Sequence, residues 1–313
     1  MQAQITDTVS RCAICNTYRR QNRKEPMIGH DIPKRPWQKV ATDIFELDGE
    51  HYLVLVDYYS NFIEVNKLNT TTSQAVINIC KQQFSRHGIP DEVVSDNGTQ
   101  YSSTEFKTFS KEYGFKHTTS SPTYPQSNGK AEKAVQITKN LMKKAKADKL
   151  DPHLALLDYR NTPMDGLPSP AQLLMGRRTK TRLPTAHTLL EPATMEGARE
   201  RMKINQDRKK HFYDRGARTL PALTPGDTVR LRDGKQWRPA KVIQPTAEPR
   251  SYLVEANGQQ YRRNRRELIK TMEDTHTTEN RGNTDSSTRG ESDNTKERRY
   301  TFRKPKPKER LNL

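Results

Sequence analysis

The chain is poor in apolar residues for its length. Of its 313 residues only 31% are hydrophobic, and mean hydropathy is −1.03, so much of the length must be surface, linker or tail rather than core. No apolar run approaches the ~20 residues of a membrane-spanning helix; the longest is Tyr52–Val56. The N-terminus lacks the apolar centre of a secretory signal. Cysteine is scarce too, with three in all and two of them, Cys12 and Cys15, in a C-x-x-C pair. That usage argues against a disulfide scaffold and fits a reducing compartment and metal binding.

Positive charge is what the chain has in excess. A net charge of +18 and a pI near 9.8 point to a polyanionic partner, of which nucleic acid is the commonest. A soluble protein with a basic tail would give the same total, because net charge reports on partners and not on fold.

Three acids stand out against this basic background. Asp96 closes the short apolar run Val93-Val94-Ser95 and precedes Asn97-Gly98. Glu132 ends Ser127-Asn128-Gly129-Lys130-Ala131-Glu132, where a long helical pattern opens, and Asp43 lies upstream in Val40-Ala41-Thr42-Asp43-Ile44-Phe45. Two strand positions and one helix position can converge at one edge of a sheet. Cleaving or joining a phosphodiester needs an activated nucleophile, in-line geometry and a neutralised leaving oxygen, and two cations ~3.5–4 Å apart supply all three. Mg²⁺ prefers carboxylate and water oxygens with few protein ligands, and adjacent carboxylates repel until a metal is captured. Asp43, Asp96 and Glu132 are therefore the candidate catalytic and metal-binding residues. Taken singly, each reads as a surface carboxylate; the combination points to chemistry. Asp57 and Glu105 are rivals, but a turn explains Asp57 better and a helix first turn explains Glu105.

The helix after Glu132 supports the same reading. At ~100° per residue, Glu132, Gln136, Lys139, Lys143 and Lys146 fall within about 40° of one line. Ala131, Ala134, Val135, Leu141, Met142 and Ala145 lie on the opposite side. One stripe presents an acid followed by amide and ammonium groups suited to a phosphate backbone, and the other can pack on a sheet.

Residues 1–30 are short and polar. Residues 31–180 read as one α/β domain, with strands expected at Lys39–Phe45, His51–Tyr58, Phe62–Leu68, Glu92–Ser95 and Phe115–Ser120. The first three follow one another without a helix and should form an antiparallel meander, making a mixed five-stranded sheet with flanking helices. Helices are expected over 72–87, 103–113 and 130–149, then from Asp151-Pro152 and from Ser169-Pro170. Residues 181–222 form a linker with a charged helix. Residues 223–270, with turns at Pro225-Gly226-Asp227, Asp233-Gly234 and Asn257-Gly258, suggest a small all-β barrel. Residues 271–313 have almost no large apolar side chains and are expected to be a disordered tail.

At these residues the chain resembles the integrases of gypsy-type long-terminal-repeat retrotransposons, relatives of retroviral integrases. The matching stretches are Arg35-Pro-Trp37, Tyr52-Leu-Val-Leu-Val-Asp-Tyr-Tyr-Ser60, Arg86-His-Gly-Ile-Pro90, Ser95-Asp-Asn-Gly98, Ser120-Ser-Pro-Thr-Tyr-Pro-Gln-Ser-Asn-Gly129, Ser169-Pro-Ala-Gln-Leu-Leu-Met-Gly-Arg177, Gly226-Asp227 and Tyr261-Arg-Arg-Asn-Arg-Arg-Glu-Leu268. The resemblance implies an RNase H-like core in which Asp43, Asp96 and Glu132 bind two Mg²⁺ or Mn²⁺ ions. It implies 3′-end processing of element DNA, then joining of the new ends to target DNA, by a homo-oligomer (dimer or tetramer) on double-stranded DNA. Tyr124, Gln126 and Asn128 would lie in an active-site loop that closes over DNA, and Gln136, Lys139 and Lys143 would face the element's end. Location would be nuclear, after synthesis in the cytoplasm, with no membrane involved. The resemblance fails at the N-terminus. The family's His-His-Cys-Cys zinc domain is reduced here to Cys12 and Cys15 with no histidine before them, so Zn²⁺ binds only if ligands come from elsewhere, and a truncated product is expected. His30 follows the pair and does not fit the pattern.

Among the remaining features, Cys80 reads as core, and His87 and His117 read as packing residues near element ends. Trp237 and Tyr252 read as core of the small barrel. Arg262, Arg263, Arg265 and Arg266 cannot all point inward and are expected to meet phosphate. Arg303-Lys-Pro-Lys-Pro-Lys308 reads equally as an import signal or a solvated tail. Two other functions compete with strand transfer. One is a catalytically idle DNA- or chromatin-binding protein derived from an integrase. The other is a nuclease acting on RNA–DNA hybrids, against which the paired Asn-Gly motifs and the basic C-terminal region count.

Overall fold

The computed structural model describes residues 1–29, 31–119, 129–234 and 236–273. The expected meander is present as β1 (Lys39–Leu47), β2 (Glu50–Asp57) and β3 (Ile63–Leu68), paired antiparallel in sequence. Asp48-Gly49 joins the first two. Both residues have positive φ (53° and 77°), the combination that a two-residue hairpin turn needs to match strand twist. The β2–β3 turn is organised by Asp57, whose fully buried carboxylate accepts from Ser60 N (2.9 Å), Ser60 Oγ (2.6 Å) and Tyr59 N (3.2 Å). This is the turn role expected of Asp57.

Helix α3 (Ser73–His87) starts at Thr72, whose side chain accepts from Ala75 N, and stops at Gly88. The chain then returns as β4 (Glu92–Ser95), parallel to β1. Next come the single-turn α4 (Thr99–Ser102), absent from the sequence expectation, α5 (Thr104–Glu112) and β5 (Lys116–Thr119), parallel to β4. The sheet order is β3-β2-β1-β4-β5, a mixed five-stranded sheet.

Both faces of that sheet are covered. Val40, Leu53, Leu55 and Val93 pack under Val76, Cys80, Phe84, Phe106 and Phe109 of α3 and α5. Ala41, Val54, Val56 and Val94 pack under Ala131 and Ala134 of α6 (Gly129–Ala147), with Leu156 and Tyr159 of α7 (Pro152–Asn161) alongside. Leu53-Val54-Leu55-Val56 is therefore apolar at every position, because β2 is buried on both sides. Helix α7 begins at the expected Asp151-Pro152 cap, and α8 (Pro170–Met175) at a capping box in which Ser169 and Gln172 bond reciprocally.

The charged linking helix is α9 (Ala198–Asp214). After it, β6 (Thr228–Asp233), β7 (Gln236–Pro245), β8 (Ser251–Ala256), β9 (Gln259–Asn264) and β10 (Leu268–Lys270) form an all-antiparallel sheet in the order β10-β6-β7-β8-β9. Leu223, Val229, Leu231, Val242, Tyr252, Val254 and Leu268 are its core. Trp237 is buried and gives Nε1–H to Arg19 O at 2.8 Å.

The N-terminal segment, helices α1 (Gln2–Arg11) and α2 (Ala13–Thr17) with the extended chain after them, lies on the C-terminal sheet. Arg230 donates to Thr17 Oγ1 (2.7 Å), and Asn22 donates to Arg266 O and Leu268 O (3.0 and 2.9 Å). Residues 271–273, expected to open the tail, are among the described residues. Thr271 N donates to Thr228 O at 3.0 Å, and Glu273 pairs with the buried Arg230 at 2.7 Å, so β-type pairing and a desolvated ion pair hold these residues in place. Residues 274–313, including Arg303–Lys308, lie outside the described residues.

One ion cluster ties three elements of the core together. Arg160 of α7 donates to Ile63 O (2.7 Å) and Glu64 Oε2 (2.8 Å) and lies 4.5 Å over the Phe62 ring, while His87 bonds Glu64 Oε1 at 3.0 Å. Burial alone would raise the Glu64 carboxyl; the bond from His87 and the Arg160 guanidinium outweigh it and hold Glu64 below its ordinary value. A depressed carboxyl contributes stability above its unfolded value of about 4.3 and loses it as pH falls through the lower folded value. Arg160→Met should therefore cost about 3 kcal/mol at neutral pH. The gap to wild type should narrow at about pH 3.5, which urea melts at the two pH values will check.

Candidate active site

Strand alternation decides which side chains meet. Along β1, Val40, Thr42 and Ile44 face α3–α5, whereas Ala41, Asp43 and Phe45 face α6. Along β4, Val93 and Ser95 take the first face and Val94 the second, so Asp96, one residue on, falls on the α6 side. Glu132 is in the first turn of α6, on the helix that covers that face. The sheet and helix bring the three acids to one region.

Their electrostatics carry the same message. The half-buried Asp43 carboxyl is pushed up to about 6, first by burial, then by the charge of Asp96 and more weakly by Glu132. The amide of Ile44, which donates to Asp43 Oδ1 at 2.8 Å, and the ammonium of Lys139 oppose the rise. Asp96 Oδ1 accepts from Gly98 N at 3.1 Å. A Cβ at residue 98 would stand 3.1 Å from that same oxygen, so glycine lets the Asp96 carboxylate fold back onto the chain. Glu132 is exposed, burial raises its carboxyl, and it makes no hydrogen bond or ion pair among the described residues, leaving its side chain free to turn.

Three carboxylates are hard oxygen donors suited to Mg²⁺ or Mn²⁺ rather than to a soft metal, so the chemistry of the donor set fits. Their arrangement is open: among the described residues no group of three or more His, Cys, Asp or Glu is gathered as a finished metal site.

The stripe along α6 is laid out as its spacing implies. Ala131, Ala134, Thr138 and Ala145 are buried against the sheet. Gln136 and Lys143 are exposed, and Lys139 is half-buried with Nζ 5.6 Å from the Phe45 ring. Lys146 is paired with Asp48 at 2.6 Å. Tyr124, Gln126 and Asn128, together with His30, lie outside the described residues.

The four C-terminal arginines divide. Arg265 is corrected: it is 6% exposed and donates to Pro221 O and Leu268 O, both at 2.6 Å, so backbone carbonyls use its guanidinium and it holds the sheet together. Arg262 bonds Glu248 at 2.7 Å and Thr119 at the end of β5 at 3.2 Å. Arg263 lies 5.1 Å over the Tyr261 ring, and Arg266 is half-buried. Cys12 and Cys15 are free thiols; Cys12 Sγ accepts the Cys15 N–H at 3.5 Å, and that bond, the largest cause, lowers the Cys12 thiol.

Sequence reading missed two groups near the acids. Lys130 is half-buried, donates to Tyr58 O (3.2 Å) and Asn61 Oδ1, and is lowered to about 8 by desolvation. His117 is not simply packing at an element end: it bonds the buried Ser95, next to Asp96. The available signal was a hydroxyl residue, Thr42 or Ser95, immediately before each strand acid in an otherwise apolar run.

Residues 33–125 match the integrase core domain family. That match includes Asp43 and Asp96 and ends before Glu132. The "Uncharacterized protein K02A2.6" of Caenorhabditis elegans is 30% identical over 221 residues, covering 68% of this chain and 17% of that protein. The "Transposon Tf2-3 polyprotein" of Schizosaccharomyces pombe is 23% identical over 259 residues, covering 75% of this chain and 19% of the polyprotein. The chain thus spans less than a fifth of the length of these relatives. Among solved structures, a chain of the simian T-cell lymphotropic virus intasome in complex with PP2A regulatory subunit B56 gamma superposes with a TM-score of 0.58 at 19% identity. It covers 87% of this chain and 91% of that one, a likeness of fold. Residues 33–125 are thus similar to the integrase core domain family, and a second, antiparallel sheet lies C-terminal to them. No helix among the described residues is long and apolar enough to cross a membrane.

The Asp43 environment gives a direct test. A carboxyl raised in the folded state contributes stability below its unfolded value, about 3.9, and loses it as pH rises through about 6. With chelator present, Asp43→Asn should stabilise the protein by about 1–2 kcal/mol near pH 8 and by almost nothing near pH 4. Thermal melts across that range will read the difference.

Proposed function

We propose that this chain is an integrase of the gypsy type that trims the 3′ ends of element DNA and joins them to target DNA. What supports the reading is that Asp43, on the face of the sheet covered by α6, feels the charge of Asp96 and more weakly that of Glu132. Asp43, Asp96 and Glu132 would hold Mg²⁺ or Mn²⁺. Such ions activate the attacking oxygen and neutralise the leaving one. At neutral pH Asp43, with its value of about 6, is mostly ionised and ready to act as a ligand. Gln136, Lys139 and Lys143 extend from Glu132 along α6 and would hold the phosphate backbone of the DNA end in line with the acids. Arg263 and Arg266 of the C-terminal sheet would add phosphate contacts, giving binding that weakens steeply with salt. Action on paired ends would need more than one copy of the chain, and access to chromosomal DNA would place it in the nucleus.

A second reading is an integrase-derived DNA-binding protein without activity. It is favoured by the open arrangement of the three acids among the described residues.

Strand transfer on labelled duplex ends, with Mg²⁺ or Mn²⁺, separates the two. Wild type should give metal-dependent joined product and Glu132→Gln none. DNA binding should stay within about twofold, since affinity comes mainly from phosphate contacts. Equal product from both proteins removes Glu132 from the mechanism. No product from folded, multimeric wild type favours the idle binder.

A further inference from the structure

The ladder between β1 and β4 ends at Ala41↔Val94, before either acid. Backbone pairing between those two strands therefore does not set the distance between Asp43 and Asp96. Something else must.

The residue before each acid is a buried hydroxyl turned to the opposite face. Thr42 and Ser95 are both 0% exposed. Thr42 Oγ1 is 3.0 Å from the hydroxyl of Tyr101 on α4, and Ser95 Oγ is 2.9 Å from His117 Nε2 on β5. Ser95 also gives its proton to the carbonyl of Asp96 at 2.7 Å. One hydroxyl proton cannot serve two acceptors, so His117 donates from Nε2 and keeps its lone pair on Nδ1. Burial pushes His117 down to about 4, leaving it neutral at physiological pH. The His117 and Tyr101 rings both pack on the fully buried Phe106, with centroids at 4.8 and 5.3 Å. Buried hydroxyls cost free energy unless bonded, and valine would suit the interior of a two-sided sheet better. Two such hydroxyls at matching positions, each bonded to an aromatic side chain resting on one phenylalanine, form a brace beneath the acids.

We infer that His117, through Ser95, and Tyr101, through Thr42, are positioning residues that fix the backbone carrying Asp96 and Asp43 and so set the spacing of the two strand carboxylates. The inference rests on the metal-binding reading of those acids, and its test is chosen to fail separately from that reading.

Amide hydrogen exchange over 95–98 reads the brace without metal, and titration with Mn²⁺ reads its consequence. Tyr101→Phe combined with His117→Phe keeps the rings and removes both polar contacts. Exchange at 95–98 should accelerate while β2 stays protected, and Mn²⁺ binding should weaken roughly tenfold, the scale of losses when groups supporting metal ligands are removed. His117→Gln, which keeps a donor toward Ser95, should recover most of the His117 share. Unchanged exchange and unchanged Mn²⁺ affinity in a folded double variant overturn the inference. So does uniform acceleration across the sheet in every variant, which marks a merely structural role. If wild type binds no Mn²⁺, the metal-binding reading falls and the exchange pattern alone decides the brace.

Discussion

Asp43 is half-buried on a central strand, and burial first, then the charge of Asp96 and more weakly that of Glu132, raise it to about 6. In the absence of cation or proton this is an unfavourable arrangement, and it persists only because its surroundings over-determine the backbone. β1 is held by β2 along its whole length, from Val40↔Asp57 to Leu47↔Glu50, and by β4 at its start. β2 in turn buries Leu53, Val54, Leu55 and Val56 on both faces. Relief at Asp43 itself is modest, one amide from Ile44 and the charge of Lys139. The apolar sheet therefore bears a strain that its polar edge would not sustain alone.

Helix α6 answers the same constraint from the other side. Its alanines at 131 and 134 are small enough to let the helix lie close on the sheet, and Glu132 falls between them in sequence. Its position is not left to apolar contact alone. The half-buried ammonium of Lys130 reaches the β2–β3 turn at Tyr58 and Asn61, and Tyr159 of α7 donates to Asn61 O at 3.3 Å. These directional bonds tie the helix to the turn two residues before Glu132.

Local chemistry was legible in the sequence and tertiary pairing was not. The strand positions, the Asn257-Gly258 turn, the Asp151-Pro152 and Ser169-Pro170 caps, and the two-faced pattern of α6 all follow from a residue and its near neighbours. Arg265 was misread because the sequence Arg262-Arg263-Asn264-Arg265-Arg266 cannot say which guanidinium finds two carbonyls. The hold of Glu273 on Arg230, and of the N-terminal segment on the C-terminal sheet, joins residues more than forty positions apart and leaves no periodic trace. For the site, the acids were visible as motifs, whereas Lys130 and His117 gain meaning only from what they touch.

Arg262 shows how the two sheets affect one another. Its guanidinium joins Glu248 on the C-terminal side to Thr119, the last residue of β5, immediately before the segment that leads to α6. A phosphate approaching Arg262 would have to compete with both. Taking the guanidinium would leave Glu248, held below its ordinary carboxylate range partly by that same arginine, without its counter-charge beside a polyanion. The net gain from such a contact is an exchange of one ion pair for another, small compared with what the exposed Lys143 on α6, without an ion pair among the described residues, can offer. Charge count alone would rank the C-terminal arginines first as phosphate ligands, yet the partners that Arg262 and Arg265 already hold would shift part of that weight toward the helix carrying Glu132.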